Sequence, residues 1–142
     1  MPTRNAHAVW EGDLQSGTGT MEFGSGAYEG AYSFGSRFKE ETGTNPEELI
    51  GAAHAGCFSM AFSANLAEAG FSPKRVSTDA KVHLEKVGDG FSITKVVLTT
   101  EGEVPAIDDA KFKEIAEAAR KNCPVSRALG GVQIDVNAKL LT

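Results

Sequence analysis

Cysteine is scarce in this sequence, and clusters of metal-binding residues are missing. The only two thiols among 142 residues are Cys57 and Cys123, and neither belongs to a Cys-x-x-Cys motif. The three histidines are scattered, without the spacing that marks a zinc site. We therefore expect no bound metal or cofactor, and we interpret the two separated thiols as one redox pair.

Positive charge is also in deficit. Lys and Arg number 14 against 19 Asp and Glu, which gives a formal net charge of −5. Nonspecific affinity for nucleic acids comes mostly from basic side chains that neutralise phosphates, so we expect no nucleic-acid partner. Residues 1–7 contain no apolar run typical of a secretory signal, and we therefore expect a cytoplasmic location. In a reducing cytosol, a disulfide between the two cysteines is expected to be transient and catalytic rather than structural.

One long stretch lacks charged residues altogether. Residues 49–67 contain no Asp, Glu, Lys or Arg, and on length alone they would suffice for a membrane span. The same stretch is rich in alanine and includes His54 and Asn65, so its transfer into lipid gains too little free energy. Small residues suit a helix that is surrounded by protein, and we predict a buried helix and no membrane partner.

The ends of this helix are marked in the sequence. Asn45 is a good N-cap, Pro46 fits the first helical position, and Gly70 is a typical terminator. These signals predict a helix from Pro46 to Ala69, about 36 Å long. A single small domain hardly covers such an apolar helix, so we expect a symmetric homodimer in which two of these helices pack together.

The rest of the chain shows shorter patterns. Alternating segments predict strands, a Gly-Asp-Gly sequence predicts a hairpin with a longer loop, and one charged segment with an apolar stripe predicts a second helix. Residues 27–41 follow no stable period and are predicted to be a loop or irregular strand. The predicted strands are 6–14, 18–23, 76–85, 91–100 and 132–140. The second helix is predicted to be capped by Asp108 or Asp109 and to end near Asn122, and its apolar stripe is Phe112, Ile115, Ala116 and Ala119. Together these elements predict a single α+β domain spanning residues 1–142.

Cys57 has two interpretations. In one it is a small buried hydrophobic residue, as most lone cysteines on core helices are. In the other it is a reactive thiol, which requires a cationic neighbour because it lies too far from the helix N-terminus to benefit from the dipole. Arg37 is the candidate cation, and a carboxylate of the first helical turn, Glu47 or Glu48, is the candidate for orienting it. For Glu48 we favour a capping role.

Cys123 directly precedes Pro124, which disfavours helical geometry and places the thiol at the exit of the second helix. A thiol there is well placed to close a disulfide onto a sulfenic acid, although a buried thiol at a helix end is an equal alternative. His54 lies three residues before Cys57, which permits a Cys–His dyad, but we favour a histidine that packs between helices.

Two motifs resemble a known family. The stretch 43–61, GTNPEELIGAAHAGCFSMA, closely resembles the cysteine-bearing helix of the OsmC/Ohr family, and 122–129, NCPVSRAL, resembles its second-cysteine motif. His54 and the pair Ile50-Gly51 are more similar to the OsmC branch than to the organic hydroperoxide resistance branch. The resemblance implies an intertwined α+β homodimer in which antiparallel sheets wrap around two long central helices.

The resemblance also implies an activity, that of a thiol-dependent hydroperoxide reductase with an antioxidant role in the oxidative stress response. By the motif, the Cys57 thiolate attacks the O–O bond of an organic hydroperoxide, and Cys123 then closes a Cys57–Cys123 disulfide. Glu47 is similar to the carboxylate that fixes an arginine, and Arg37 is similar to that arginine. The family implies regeneration by an external dithiol, with dihydrolipoyl groups on a lipoylated protein as the suspected donor. Other arginines that the sequence offers are Arg4, Arg75, Arg120 and Arg127.

Two alternatives stay open at this stage. A non-catalytic protein would use an apolar cleft for a hydrophobic ligand and keep its thiols for packing. A thiol redox sensor would form the same disulfide to alter a partner surface. The apolar residues that we expect to line a pocket are Phe34, Phe38, Phe58 and Met60, although aromatic residues near a helix more often belong to the core.

Overall fold

The computed structural model describes all residues from 1 to 142, and it contains two compact units, Met1–Leu49 and Ile50–Thr142. The predicted α+β class is confirmed, whereas a single domain stays a prediction. Six strands and four helices follow one another in the order β1 (Ala6–Glu11), β2 (Thr18–Phe23), β3 (Glu29–Tyr32), α1 (Phe34–Phe38), α2 (Pro46–Glu68), β4 (Arg75–Val87), β5 (Gly90–Glu103), α3 (Asp109–Asn122), α4 (Pro124–Ala128) and β6 (Gln133–Leu141).

The first unit contains an antiparallel sheet of three strands in the order β1-β2-β3, followed by α1. The prediction of a loop or irregular strand over residues 27–41 is met in part by the short strand β3 and was wrong for α1, a helix that forms in the same segment. A strand of four residues and a helix of five are too short to show a period of two or of 3.6. Their local chemistry is nonetheless ordinary, since Ser33 caps α1 and Ser36 completes the capping box.

Both ends of α2 follow the predicted signals. The side chain of Asn45 accepts a hydrogen bond of 2.7 Å from the backbone N–H of Glu48, as an N-cap does. At the other end Gly70 has φ of 93°, a conformation that favours glycine. The Gly70 N–H donates to Ala67 and the Phe71 N–H to Leu66, which together form a Schellman motif.

The second unit is built on a sheet in the order β4-β5-β6. The predicted hairpin forms, but its connection is a two-residue turn rather than a longer loop, with Gly88 at φ of 61°. A glycine with positive φ at the first central position matches the twist of the flanking strands. The β5–β6 pair is parallel, so this sheet is mixed rather than wholly antiparallel. Parallel neighbours need a crossover, which α3 and α4 supply here.

The core of the second unit lies between its helices and its sheet. The ring of Phe62 packs at a tilt against those of Phe58 and Phe112, with centroids 5.6 and 4.9 Å apart. Val96 and Leu98 of β5 belong to the same buried cluster. The predicted stripe on α3 is buried throughout, because every third or fourth residue of that helix is apolar; its members are Phe112, Ile115, Ala116 and Ala119.

One face of α2 stays exposed within the single chain. Its small and apolar residues recur every three or four positions, and among them Met60 is 77% exposed. The predicted burial of this helix on all sides is therefore not reached within one chain. By length and composition α2 is able to cross a membrane, a test that core helices of soluble proteins also pass. The exposed small and apolar residues of this face are Ala53, Gly56, Met60, Ala64 and Ala67.

Candidate active site

The second unit brings the two cysteines together. Cys57 is half-buried on α2, Cys123 is fully buried between α3 and α4, and both thiols are free. The two thiols are neighbours, since the Cys123 side chain acts on the pKa of Cys57 both by hydrogen bonding and by its charge. This neighbourhood depends on the crossover and core of the unit, since 65 residues of chain separate the two positions.

The surroundings of Cys57 favour its protonated form. Burial raises the pKa of the Cys57 thiol above its ordinary value, and the hydrogen bond with Cys123 raises this pKa further. A hydrogen bond from the backbone of Val125 acts in the opposite direction and lowers it. Since the thiolate is the nucleophile, Cys57 in this environment is a protected thiol that needs a further cationic group to become reactive.

The position of Cys123 follows from the proline after it. Cys123 ends α3, where its N–H donates to the Ala119 carbonyl at 2.9 Å, and its ψ of 123° leaves the helical range. Pro124 disfavours helical geometry in the preceding residue and itself starts α4. The predicted location of Cys123 at the exit of the second helix is confirmed.

A buried histidine and a buried serine lie in the same unit. His54 Nε2 is 2.7 Å from Ser126 Oγ, and both residues are buried. Burial lowers the pKa of His54, so its imidazole is neutral near pH 7. The structure thus shows Nε2 bonded to Ser126 rather than forming a dyad with Cys57. We call these two residues and the two cysteines the thiol cluster.

The first unit contains a separate pair of charged residues, Arg37 and Glu47. The Nε and Nη2 atoms of Arg37 each donate to one carboxylate oxygen of Glu47, both at 2.9 Å. The Arg37 side chain is 35% exposed and that of Glu47 only 9%. A bidentate pair of this kind fixes the plane of the guanidinium. We call the two residues the ion-pair cluster.

The segments around the ion-pair cluster are tied to each other by polar groups. Ser36 Oγ donates to the Thr44 carbonyl at 2.7 Å, and Asn45 donates from its side chain to the Ser36 carbonyl at 3.1 Å. Asn45 therefore caps α2 and also holds α1. The neighbouring carboxylate of Glu48 accepts from the Thr44 hydroxyl at 2.7 Å, so the structure pairs Arg37 with Glu47 and leaves Glu48 at the helix start.

The residues expected to line an apolar pocket do not share one environment. Phe58 is fully buried in the core of the second unit and is not available to a ligand, whereas Met60 lies on the exposed face of α2. Phe34 and Phe38 pack against each other at a tilt in the first unit, with centroids 4.9 Å apart. The structure contains no group of three or more His, Cys, Asp or Glu side chains arranged to hold a metal ion.

Ser126 is the residue of the thiol cluster that reasoning from the sequence missed. It lies three residues after Cys123, as His54 lies three residues before Cys57. That symmetry of spacing is the only signal in the sequence, and it becomes informative only once the two cysteines are known to meet.

Comparison with known proteins gives consistent matches. The profile of the family described as OsmC-like protein matches residues 39–137. The chain is 51% identical over 127 residues to the peroxiredoxin OsmC of Escherichia coli (strain K12), which covers 89% of each protein. It is 36% identical over 99 residues to the organic hydroperoxide resistance protein of Xanthomonas axonopodis pv. citri (strain 306), which covers 69% of this chain and 67% of that one.

Solved structures show the same fold. The chain is similar to an organic hydroperoxide resistance protein from Elizabethkingia anophelis, with a TM-score of 0.79 at 22% identity over 99% of this chain and 98% of that one. It is also similar to OhrB of Bacillus subtilis, with a TM-score of 0.72 at 26% identity over 96% and 98% of the two chains. The first of these likenesses is evidence for the fold alone.

Proposed function

Because the chain belongs to the family of OsmC-like proteins, we propose that it is a thiol-dependent peroxidase that reduces organic hydroperoxides. The observation that carries the proposal is the interaction of the Cys57 and Cys123 side chains in one unit, with both thiols free. The names of its relatives, a peroxiredoxin and an organic hydroperoxide resistance protein, support the same reaction and substrate class. We place this activity in the cytoplasm.

The first step is attack of Cys57 on the peroxide. The thiolate sulfur bonds to the distal oxygen, the O–O bond breaks, and the alkoxide takes a proton to leave as an alcohol. Cys57 becomes a sulfenic acid, so the sulfur is oxidised by two electrons and the peroxide is reduced. Half-burial of Cys57 suits an organic substrate that brings apolar groups to the thiol.

In the second step Cys123 resolves the sulfenic acid. Its sulfur attacks the Cys57 sulfur, an S–S bond forms, the S–O bond breaks, and the oxygen leaves as water with the thiol proton. An external dithiol then reduces the disulfide by thiol exchange and is itself oxidised to a disulfide. Dihydrolipoyl groups on a lipoylated protein are the proposed donor.

The proposal assigns Arg37 and Glu47 to charge stabilisation. Burial raises the pKa of the Cys57 thiol, so a cation is needed to stabilise the thiolate and the developing alkoxide. Arg37 takes this role by its match to the family motif. The bidentate bond to Glu47 supports the assignment, since it fixes the guanidinium before the reaction and lowers the entropy cost of using it.

The proposed partner on the exposed face of α2 is a second copy of this chain. The face is apolar and Met60 on it is 77% exposed, which is unfavourable for a helix facing water. Sedimentation velocity is expected to give a homodimer, and Met60→Lys is expected to yield monomers. Leu14→Lys, which adds the same charge at an exposed leucine of the first unit, is the control and leaves the dimer intact.

The test of the activity is stopped-flow consumption of cumene hydroperoxide and of hydrogen peroxide by the reduced protein with dihydrolipoamide. We expect faster turnover with the organic peroxide and loss of two thiols per subunit when the dithiol is withheld. Thiols that survive both peroxides would refute the peroxidase. Loss of both thiols without turnover by any dithiol would instead identify a redox sensor.

A further inference from the structure

Two side chains of the thiol cluster have no part in the proposed chemistry. His54 precedes Cys57 by three residues on α2, and Ser126 follows Cys123 by three residues on α4. Positions three apart on a helix are neighbours on its surface. The His54–Ser126 hydrogen bond of 2.7 Å and the Cys57–Cys123 interaction are therefore two adjacent links between α2 and the segment 123–128.

The surroundings of His54 determine which atom donates the hydrogen bond between His54 and Ser126. Its Nδ1 is buried without a hydrogen-bond partner, and an unpaired lone pair is easier to bury than an unpaired N–H. Burial lowers the pKa of His54, so the ring carries one proton. That proton is therefore on Nε2, which donates to Ser126 Oγ.

The segment that carries Cys123 packs against the core through Cys123 and Val125, but the backbone of α4 itself adds little support. The helix α4 has only five residues, and its backbone bonds within the helix are few, such as Leu129 N–H to the Val125 carbonyl at 3.0 Å. A disulfide requires the two sulfurs to approach to about 2.05 Å within a narrow range of torsion angles. The resolving step is thus sensitive to a side-chain link near the middle of α4.

We infer that the His54–Ser126 hydrogen bond is a positioning link that holds Cys123 for attack on the Cys57 sulfenic acid. The inference rests on the proposed function and concerns only its second step. Cys123 supplies no reacting atom to the attack on the peroxide, although it and the backbone of Val125 act on the pKa of Cys57. Loss of the link therefore slows disulfide formation much more than sulfenic acid formation, whereas a purely structural role slows both steps alike.

The experiment compares the two steps in Ser126→Ala. The reduced protein receives one equivalent of cumene hydroperoxide without dithiol, sulfenic acid is trapped with dimedone at successive times, and the disulfide is followed by loss of the second thiol. We expect the rate of sulfenic acid formation to stay within about twofold of wild type. The rate of disulfide formation is expected to fall about fivefold, which is the rate ratio that corresponds to the net free energy of one hydrogen bond. Dimedone adducts at a fixed early time increase accordingly.

Conservative variants and a matched control complete the experiment. Ser126→Thr keeps the hydroxyl and restores disulfide formation, and His54→Gln, which keeps an N–H donor, retains more of the rate than His54→Leu does. Ser59→Ala removes another hydroxyl hydrogen bond of α2, from Ser59 to Thr78 at 2.8 Å, and leaves both rates unchanged.

The outcomes separate the inference from the proposed function. Normal sulfenic acid formation with an unchanged disulfide rate in Ser126→Ala overturns the inference alone. An equal slowing in Ser59→Ala also overturns it, because the effect is then one of general stability. Absence of sulfenic acid in the wild-type protein overturns the proposed function and the inference together.

Discussion

The ion-pair cluster holds two side chains of opposite charge, whereas the thiol cluster favours the neutral forms of its titratable side chains. Arg37 on α1 forms a partly exposed bidentate pair with Glu47 in the first turn of α2, and hydrogen bonds tie these two segments together. In the thiol cluster, burial raises the pKa of Cys57 and lowers that of His54, so it favours the neutral form of both titratable groups. Burial alone therefore yields a protected thiol, and the proposed mechanism requires a charged group that does not belong to the thiol cluster.

The largest expected effect is the difference in peroxide consumption between variants of the two cysteines of the thiol cluster. Cys57→Ser abolishes peroxide turnover, by at least about a thousandfold, because the serine hydroxyl is not an effective nucleophile at neutral pH. Cys123→Ser still consumes about one peroxide per subunit in the absence of dithiol, since the first step needs only Cys57. Stopped-flow peroxide consumption with mass spectrometry of the oxidised protein measures both. Equal activity of the two variants would contradict the division of roles.

The next effect tests the ion-pair cluster. Glu47→Gln removes the charge that fixes the guanidinium of Arg37, and we expect kcat/KM for cumene hydroperoxide to fall about a hundredfold, as for loss of a preorganised electrostatic group. The matched control is Glu48→Gln, the adjacent carboxylate that accepts from the Thr44 hydroxyl. Its kcat/KM stays within about twofold of wild type, because capping groups affect stability more than catalysis. An equal fall in both variants would remove the special role of Glu47.

A third prediction concerns pH and the buried histidine. Because burial lowers the pKa of His54, the unfolded chain binds the proton more readily than the folded one. The stability that depends on neutral His54 is thus fully present above pH about 6.5 and is lost as the pH falls from there through the lower pKa of the folded state. Urea unfolding between pH 7.5 and 5 is expected to show this loss in wild type.

His54→Gln is the control for that prediction, since glutamine keeps a donor but does not titrate. Its free energy of unfolding changes less over the same pH range than that of wild type. Parallel curves for the two proteins would show that His54 titrates alike in the folded and unfolded states, contrary to its burial.

Much of the fold is predictable where the signal is local. Asn45 and Gly70 mark the ends of α2 because capping depends on a few adjacent residues, and the structure differs from the prediction by one residue at the C-terminal end. The five residues of α1 escape prediction because one turn is too short for a period. The parallel pairing of β5 with β6 escapes it because such pairing is decided by the packing of the crossover.

The candidate site also has features with a local signal in the sequence and features that depend on tertiary contacts. The resemblance of residues 43–61 and 122–129 to family motifs implies roles for two thiols and an ion pair, and these roles stay predictions; the resemblance contains no distances. Ser126 lies in a short helix and has no local signature, and the role inferred for it depends on a contact with His54 across 72 positions of sequence. Contacts of this kind follow from the tertiary structure and are therefore found only there.

The smallest expected effect is a change in the free energy of unfolding that leaves the activity intact. At Gly70 an added methyl group would meet no atom within 4 Å, but φ of 93° is unfavourable for alanine. We expect Gly70→Ala to lower the free energy of unfolding by about 1 kcal/mol in urea titrations. Gly131→Ala, which also adds a methyl group into open space but without a positive φ, changes it by less than about 0.5 kcal/mol. Because α2 carries Glu47 and Cys57, a kcat/KM in Gly70→Ala as low as in Glu47→Gln would mean that general loosening of α2, rather than the ion pair, limits catalysis.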